Sequence, residues 1–210
     1  MGSYTFANLQ TRISSEIQDS SNASVTLAQV KSAIVSAIEH YERERTWFTE
    51  TITTNLTTSS SFAFINAPVD IVFIDKLQIA SGTAKYSLEP IPYEDWAVRA
   101  GTSNGTGQPT QYAYYQDRFW FFPAPNSAYT LTLSYVKRLP TLSADSDNNG
   151  WTNFAEPLIR FRAEWDIYAH LLFFMDLAAQ AKAAEMDELM AFDTERMQRN
   201  ATGRVRAVYL

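Results

Sequence analysis

One stretch of the sequence combines the residue types and the spacing of a calcium-binding loop. DSDNNGWTNFAE, from Asp145 to Glu156, fits the pattern D-x-[DN]-x-[DN]-G-x5-E in full. Calcium is held by carboxylate, amide and carbonyl oxygens, and Gly150 would provide the sharp turn that such a loop needs. The predicted ligands are the side chains of Asp145, Asp147, Asn149 and Glu156 and the backbone carbonyl of Trp151.

The same residues also have a structural interpretation. Asn153 is a good N-cap, Glu156 stands three residues on as its capping-box partner, and Pro157 falls in the first helical turn. The segment LPTLS before the loop is not helical in character, and Thr152 stands where calcium loops carry an aliphatic residue. Because short patterns of this kind also occur by chance, the structural interpretation is favoured and calcium stays the alternative.

The other residues that could do chemistry do not form a recognisable site. His40 and His170 are the only histidines, and Asp166 lies about one helical turn before His170. A catalytic triad also needs a placed nucleophile and an oxyanion hole, which the sequence does not mark. The glycine-rich run GTSNGTG lacks the Gly-Lys-Ser/Thr of a phosphate-binding loop. We therefore predict no enzymatic activity and no cofactor.

Composition narrows the classes of partner. The chain has 210 residues, a net charge of -6 and a sequence pI of about 4.9, which excludes a general binder of polyanions. It contains no cysteine, which excludes disulfides and thiolate chemistry. No apolar run is long enough to cross a bilayer, so no membrane partner is expected. Aromatic residues make up 14% of the chain, a high share that suits cores and protein interfaces.

The hydrophobic period changes along the chain from helical to alternating and back to helical. This predicts an α+β protein: an antiparallel helical bundle of residues 1–49 and 150–210, with an antiparallel β-rich insert at 50–149. Before the insert, the spacing of apolar residues from Phe6 to Ile17 and from Leu27 to Phe48 predicts two helices, and Thr26 with Gln29 predicts a capping box that opens the second. Alternation in the last strand of the insert places Tyr129, Leu131, Leu133 and Tyr135 on one face. Within the insert, Tyr112–Tyr115 and Phe119–Phe122 are predicted as the arms of a hairpin. Their aromatic rings could form a sugar-stacking surface. Alternation turns about half of them inward, so a core and a protein interface are the favoured interpretation.

The helix that follows the insert carries the hypothesis of self-assembly. Beyond Ala169 its sides are apolar all round, and a chain this short has few elements to cover them. A bend is expected near Leu177 to Ala181, because one helix as far as Arg199 would be roughly 70 Å long. The predicted apolar stripe of this helix is Phe154, Leu158, Phe161, Trp165, Tyr168 and Leu172. The predicted subunit interface is Leu171, Phe173, Phe174 and Leu177.

A further pattern spans the middle of the chain, from Gln108 to Ser143. A G-x-P-x-x-Y segment precedes a short hairpin, then a P-x-P, then a strand that ends in a tyrosine before Leu-Pro. The order and spacing of these pieces, with the helices on either side, resemble the head-to-tail adaptor proteins of tailed bacteriophages. The matching residues are Gly107, Pro109, Tyr112, Pro123, Pro125, Tyr135, Leu139 and Pro140.

The resemblance implies a non-enzymatic protein of the virion neck, assembled in the host cytoplasm. Such adaptors form a ring, dodecameric in the family, under the portal protein. They carry a tail or nozzle protein below and let DNA pass through the lumen without sequence-specific binding. The family's C-terminal segment often reaches towards the portal. The alternative to an adaptor is a β-rich module in a tail or cell-surface assembly that binds carbohydrate or calcium. The portal-docking residues implied here are Arg204, Val205, Arg206, Ala207, Val208, Tyr209 and Leu210.

Overall fold

The chain divides into two compact units. A computed structural model describes residues 4–17, 24–82, 84–102 and 105–201. One unit combines the chain up to Phe48 with the chain from Leu139 onward, and the other runs from Thr49 to Arg138. The first unit is helical and the second is mostly strand, so the predicted α+β class is confirmed.

The first two helices form where the sequence predicts them. The side chain of Thr26 accepts a hydrogen bond from the backbone N–H of Gln29, and the Gln29 side chain accepts from the Thr26 N–H at 2.8 Å. This capping box was predicted, and it satisfies donors that the start of α2 leaves free. The helices are α1, Phe6–Glu16, and α2, Leu27–Tyr41, and their buried apolar residues include Phe6, Leu9, Ile13, Val30, Ile34, Ile38 and Tyr41.

The predicted apolar stripe of the return helix is only partly buried. Of its six residues only Leu158 is fully buried, and Phe154 is 45% exposed. The face of α5 that packs against α1 and α2 also carries polar groups. Their charges pair with one another, and that pairing lets the face be buried. Its residues are Ala155, Ile159, Ala163 and Ile167, flanked by Glu156, Arg160 and Glu164.

The return helix breaks earlier in the chain than the predicted bend. The return segment consists of α4, Gly150–Phe154, α5, Glu156–Asp166, a π-helical stretch, Ile167–Leu172, and α6, Met175–Ala201. The chain breaks at Phe173, and Leu177 to Ala181 is continuous helix. The expected site held no glycine or proline either, so sequence alone had no signal with which to place the break.

The β unit contains two four-stranded sheets and one short pair. Its single helix in the described part, α3, is Tyr93–Thr102. The sheet orders are β1-β10-β3-β4, β2-β8-β7-β5 and β6-β9. The strands are β1 Glu50–Thr57, β2 Phe64–Asn66, β3 Ile71–Ser81, β4 Ala84–Ser87, β5 Glu89–Pro90, β6 Thr106–Gly107, β7 Gln111–Tyr115, β8 Arg118–Phe122, β9 Ala124–Pro125 and β10 Thr130–Lys137.

Strand pairing in this unit is mainly, but not wholly, antiparallel. The β1-β10-β3-β4 sheet is antiparallel throughout, whereas β5 pairs with β7 and β6 pairs with β9 in parallel. The predicted hairpin between β7 and β8 is present, and Gln116 and Asp117 take the positive φ values of 50° and 54° that its tight turn needs. As predicted, Leu131, Leu133 and Tyr135 of β10 share one buried face.

Candidate functional site

The four residues predicted as a subunit interface lie at the junction of α5 and α6. Phe173 is 69% exposed and Phe174 is 53% exposed, while Leu171 and Leu177 are also exposed. Large apolar side chains are normal singly on a surface, but a cluster within seven residues marks a contact site. The helical unit therefore leaves this junction surface, Leu171 to Leu177, open to solvent.

The backbone of the junction is also unusual. The Phe174 N–H donates to the carbonyl of Tyr168 at 2.9 Å, which closes the π-helical stretch. Phe173 has a φ of 58°, in the left-handed region that a bulky residue rarely adopts. Neither glycine nor proline occurs between Leu158 and Thr202, so no standard helix-ending residue encodes the break. Packing of α5 and α6 sets this conformation, and the conformation turns both phenylalanines outward.

Helices α1 and α5 share a buried cluster of charged residues. The guanidinium of Arg160, 6% exposed, pairs with Glu16 of α1 and lies 3.5 Å from Glu164. Its Nε atom lies 3.3 Å from Glu156 but is not aligned for a hydrogen bond. Arg12 adds a 3.2 Å contact to Glu156 and a 3.0 Å contact to Glu16. The charge cluster, defined by these five residues, joins α1 to α5 through charge-assisted contacts.

Three carboxyl groups and two guanidinium groups cannot all be charged at low cost in this cluster. Burial, followed by the hydrogen bond that the protonated Glu164 donates to Glu16, raises the pKa of Glu164 to about 8. Burial also raises the pKa of Glu156, against the nearby charges of Arg12 and Arg160. Burial acts in the same direction on Glu16, but its hydrogen bonds to Glu164, Arg12 and Arg160 prevail and lower its pKa. Glu164 therefore keeps its proton at neutral pH and shares it with Glu16.

A second buried carboxylate fastens α6 to α2. Glu185 is almost fully buried and accepts a 2.6 Å hydrogen bond from the hydroxyl of Tyr41. Lys182 and Arg162 contact the same carboxylate at 2.8 Å and 3.5 Å. Burial and this hydrogen bond raise the pKa of Tyr41. Glu185 thus fastens the first half of α6 to α2 through its buried carboxylate.

The first half of the predicted calcium loop caps α1. The backbone carbonyls of Asp147 and Asp145 accept hydrogen bonds from the N–H groups of Phe6 and Ala7, at 2.8 Å and 3.0 Å. The Asp145 carboxylate contacts Lys31 at 2.8 Å, and this hydrogen bond lowers the pKa of Asp145. The Asp147 carboxylate accepts from the backbone N–H groups of residues 143 and 144. The loop therefore satisfies the free donors of a helix start.

The second half of that loop starts two helices. Asn149, not the predicted Asn153, is the N-cap, and its side chain accepts from the N–H groups of Trp151 and Thr152. The Trp151 carbonyl accepts from Ala155, and Glu156 lies at the start of α5 in the charge cluster. Among the described residues, no three acidic or imidazole side chains converge to hold a metal ion. The arrangement does not fit a calcium loop, and calcium binding stays a prediction that isothermal titration tests.

Gly150 has a role different from the predicted turn. A Cβ atom at this position would lie 2.8 Å from Cγ of Phe48. The ring of Phe48 cannot move away easily, since it stacks on Phe154 at 5.6 Å and meets Trp151 at 5.0 Å. Glycine at residue 150 therefore permits a close approach of the aromatic ring to the backbone.

Gly150→Ala is expected to lower the free energy of unfolding of the helical unit by about 1–3 kcal/mol, the usual effect of overpacking. Urea unfolding followed by far-UV circular dichroism measures this change. The control is Gly101→Ala, because Gly101 lies in α3 with nothing within 4 Å of the added methyl group. Equal stability of the Gly150 variant and the unaltered chain would show that the ring is free to shift.

The aromatic hairpin divides as alternation predicts. Tyr112, Phe119 and Phe121 are buried in the core of the β unit. On the other face, Tyr115 stacks on Tyr93 of α3 with ring centroids 4.1 Å apart. Also on this outer side, Trp120 contacts Tyr93, Trp96 and Phe64, and Trp96 donates to the Phe121 carbonyl at 2.9 Å. These rings are largely occupied by one another, which favours a structural role over a sugar platform.

The histidines do not assemble a catalytic site in the described part of the chain. His170 Nε2 lies 3.8 Å from Asp166 at the surface, and its ring meets the edge of Trp165. Burial lowers the pKa of His40, and the charge of Arg162 adds to the effect. The ring of His40 makes an edge contact with Tyr41, and His170 lies next to the junction surface. Both histidines therefore make packing contacts with aromatic rings.

A comparison with protein families gives a match that covers nearly the whole chain. A family model described as SU10 adaptor protein matches residues 4–207. The chain belongs to the SU10 adaptor protein family. This confirms the resemblance to phage head-to-tail adaptors that the Gln108–Ser143 pattern indicated.

Membership of the adaptor family carries a coarse function with it. The adaptor is a structural component of a bacteriophage virion, and it interacts with other virion proteins. No curated protein matches the chain. Within the described residues, no helix of the adaptor is both long and apolar enough to cross a membrane. The predicted portal-docking residues Arg204 to Leu210 lie outside the described residues.

Proposed function

We propose that this adaptor forms a ring in the virion neck, between the portal protein and a tail or nozzle protein. The helical residues on either side of the β-rich insert would form the ring wall as an antiparallel bundle, and the insert would project from it. The single observation that carries the proposal is the exposed junction surface of Leu171 to Leu177 in a protein of the adaptor family.

An open apolar surface of this kind needs a partner, and a ring supplies one at every position. A patch on one copy that packs against a different patch on the next copy generates a closed ring when the rotation divides a full turn. We expect twelve copies by analogy with the family. The free chain would stay monomeric, and the portal would nucleate the ring by holding copies side by side.

The charge of the chain suits a channel for DNA. A net charge of -6 disfavours stable contacts with phosphates, because such contacts draw their affinity from lysine and arginine. DNA would then move through the lumen without being held. The basic segment Arg204 to Leu210 is proposed to leave the ring wall and dock on the portal.

Replacing Phe173 and Phe174 by serine is expected to abolish ring formation on the portal while the free chain keeps its fold. Both side chains are exposed, so their loss removes contact area in an assembly but little from the core. Purified chain would be mixed with the cognate portal, and the mass of the complexes measured by mass photometry. The control is Phe62→Ser, since Phe62 is equally exposed but lies in the β unit.

Three outcomes of this experiment separate the parts of the proposal. Unaltered chain that remains a monomer with the portal contradicts ring assembly altogether. Rings of normal mass from the double serine variant contradict the junction surface as the subunit interface. A variant that ends at residue 202 should bind the portal less tightly with an unchanged fold, and unchanged binding would refute docking by the C-terminal segment.

A further inference from the structure

All methionines of the chain except Met1 lie on one side of α6. Met175, Met186, Met190 and Met197 are the remaining four of five, and each is between 50% and 67% exposed. A methionine side chain is apolar and flexible, and it packs well against irregular partner surfaces. Four of them exposed on one helix are not explained by the core of the helical unit.

The four methionines form a continuous stripe. At about 100° per residue they fall within an arc of about 60° around the helix, with Ala179 exposed between them. The stripe runs for about 33 Å along the axis, at 1.5 Å per residue. The buried face of α6, with Ala178, Ala181, Glu185 and Phe192, points elsewhere on the helix. This methionine stripe, Met175 to Met197, is thus a second face of α6, apolar except for Asp193, whose carboxylate pairs with Arg196 at 2.9 Å.

The area of the methionine stripe indicates whether two free copies could bind each other through it. A strip about 33 Å long and about 10 Å wide covers roughly 330 Å², well below the roughly 800 Å² per partner of a stable complex. Two free copies would therefore not stay together through the stripe alone. At its start, Met175 directly follows Phe173 and Phe174 of the junction surface, so the two surfaces would be buried together in a ring.

The outer face of α2 is a fitting cover for the stripe. Ala28, Ser32 and Ser36 are exposed and spaced by four, so they form a flat row of small side chains. Long methionines fill the space above small residues, as knobs fill holes between helices. Exposed Glu39 lies on the same face of α2, and exposed Arg43 follows the end of the helix. On α6, Lys182 and Asp187 border the methionine stripe on its two sides. Each face therefore carries charges of both signs that can pair across the contact.

We propose that the methionine stripe of one copy packs against the outer face of α2 in the next copy. The inference rests on the proposed ring and adds the identity of the two faces that meet in it. The contact is heterologous, because α6 of each copy meets α2 of another.

Methionine oxidation measures directly whether the methionine stripe is buried. Peroxide converts exposed methionine to the sulfoxide, and mass spectrometry of peptides gives the rate at each position. In the free full-length chain all four methionines should react readily. In the assembly on the portal, the rates at Met186 and Met190 should fall by about tenfold, since a packed interface excludes solvent. Protection in the free chain, or ready oxidation in an assembled ring, would overturn the proposal.

Substitutions identify the surface that packs against the methionine stripe. Met186→Glu with Met190→Glu should abolish assembly, whereas Gln180→Glu with Ala191→Glu adds the same charge to exposed positions off the stripe and should not. Ser32→Trp on α2 should also block assembly or leave the stripe reactive. Rings of Ser32→Trp chains with protected methionines would show that another protein, or another face, covers the stripe. Failure of the unaltered chain to form rings would instead contradict the proposed function.

Discussion

Arg160→Met is expected to lower the free energy of unfolding of the helical unit by about 3–5 kcal/mol. The side chain is 6% exposed and faces three carboxyl groups, those of Glu16, Glu156 and Glu164. Removing the guanidinium leaves these acids buried beside an apolar group, and their desolvation is no longer offset. Methionine replaces the aliphatic part of the arginine side chain, so the loss reports mainly the missing guanidinium. Urea unfolding followed by circular dichroism gives the value.

The matched control is Arg12→Met. Arg12 belongs to the same cluster, but its side chain is 44% exposed, so water replaces most of its contacts. Its loss should lower the free energy of unfolding by less than about 1 kcal/mol. Equal effects of the two substitutions would mean that the cluster is open to water and does not fasten α1 to α5.

Glu164→Gln is expected to make the helical unit more stable than the unaltered chain at pH 8, by at least about 1 kcal/mol. The pKa of Glu164 is raised from 4.5 to about 8 by burial and by its hydrogen bond with Glu16. A raised carboxyl pKa means that the folded state binds the proton more tightly than the unfolded state does. The stability that this proton contributes is fully present below pH 4.5 and is lost as the pH rises towards 8.

Glutamine keeps a neutral, hydrogen-bonding group at this position at every pH, so it removes that dependence. One proton corresponds to a slope of at most about 1.4 kcal/mol per pH unit. Unfolding free energies of both chains, measured at several values from pH 5 to pH 8, should therefore diverge as the pH rises. Exposed Glu39→Gln serves as the control. Parallel curves for the Glu164 variant and the unaltered chain would show that Glu164 is ionised throughout.

Glu16 responds to pH in the opposite direction. Its lowered pKa contributes stability that is present above about 4.5 and is lost as the pH falls, because its carboxylate then loses its charge-assisted contacts. The helical unit should thus be most stable in mildly acidic solution, where Glu16 is charged and Glu164 is protonated. Both groups act on the contact between α1 and α5.

Local rules predicted the elements that depend on neighbours in sequence. The capping box at Thr26 and Gln29 needs only residues three apart, and the turn at Gln116 and Asp117 needs only two central residues between two alternating strands. The buried face of β10 follows from a period of two. In each case the interaction that decides the structure lies within a few residues of chain.

Contacts between distant residues decided what local rules missed. Asp145 and Asp147 matched a calcium pattern, yet their backbone carbonyls cap α1, about 140 residues earlier in the chain. The apolar pattern gave no reason to expect that Arg160 of α5 is buried, and only its pairing with Glu16 of α1 shows why it can be. A pattern of apolar residues cannot reveal a charge whose partner comes from another helix.

The sequence by itself determined the α+β class, the first helices, the aromatic hairpin and the adaptor resemblance, because periodicity and turn chemistry are local. Only the tertiary structure decided where the return helix breaks, which of its faces is buried and that the methionines form one exposed stripe. Each of these depends on which helices pack against α5 and α6. Helix packing therefore decides which side chains of the adaptor remain exposed for contact with other proteins.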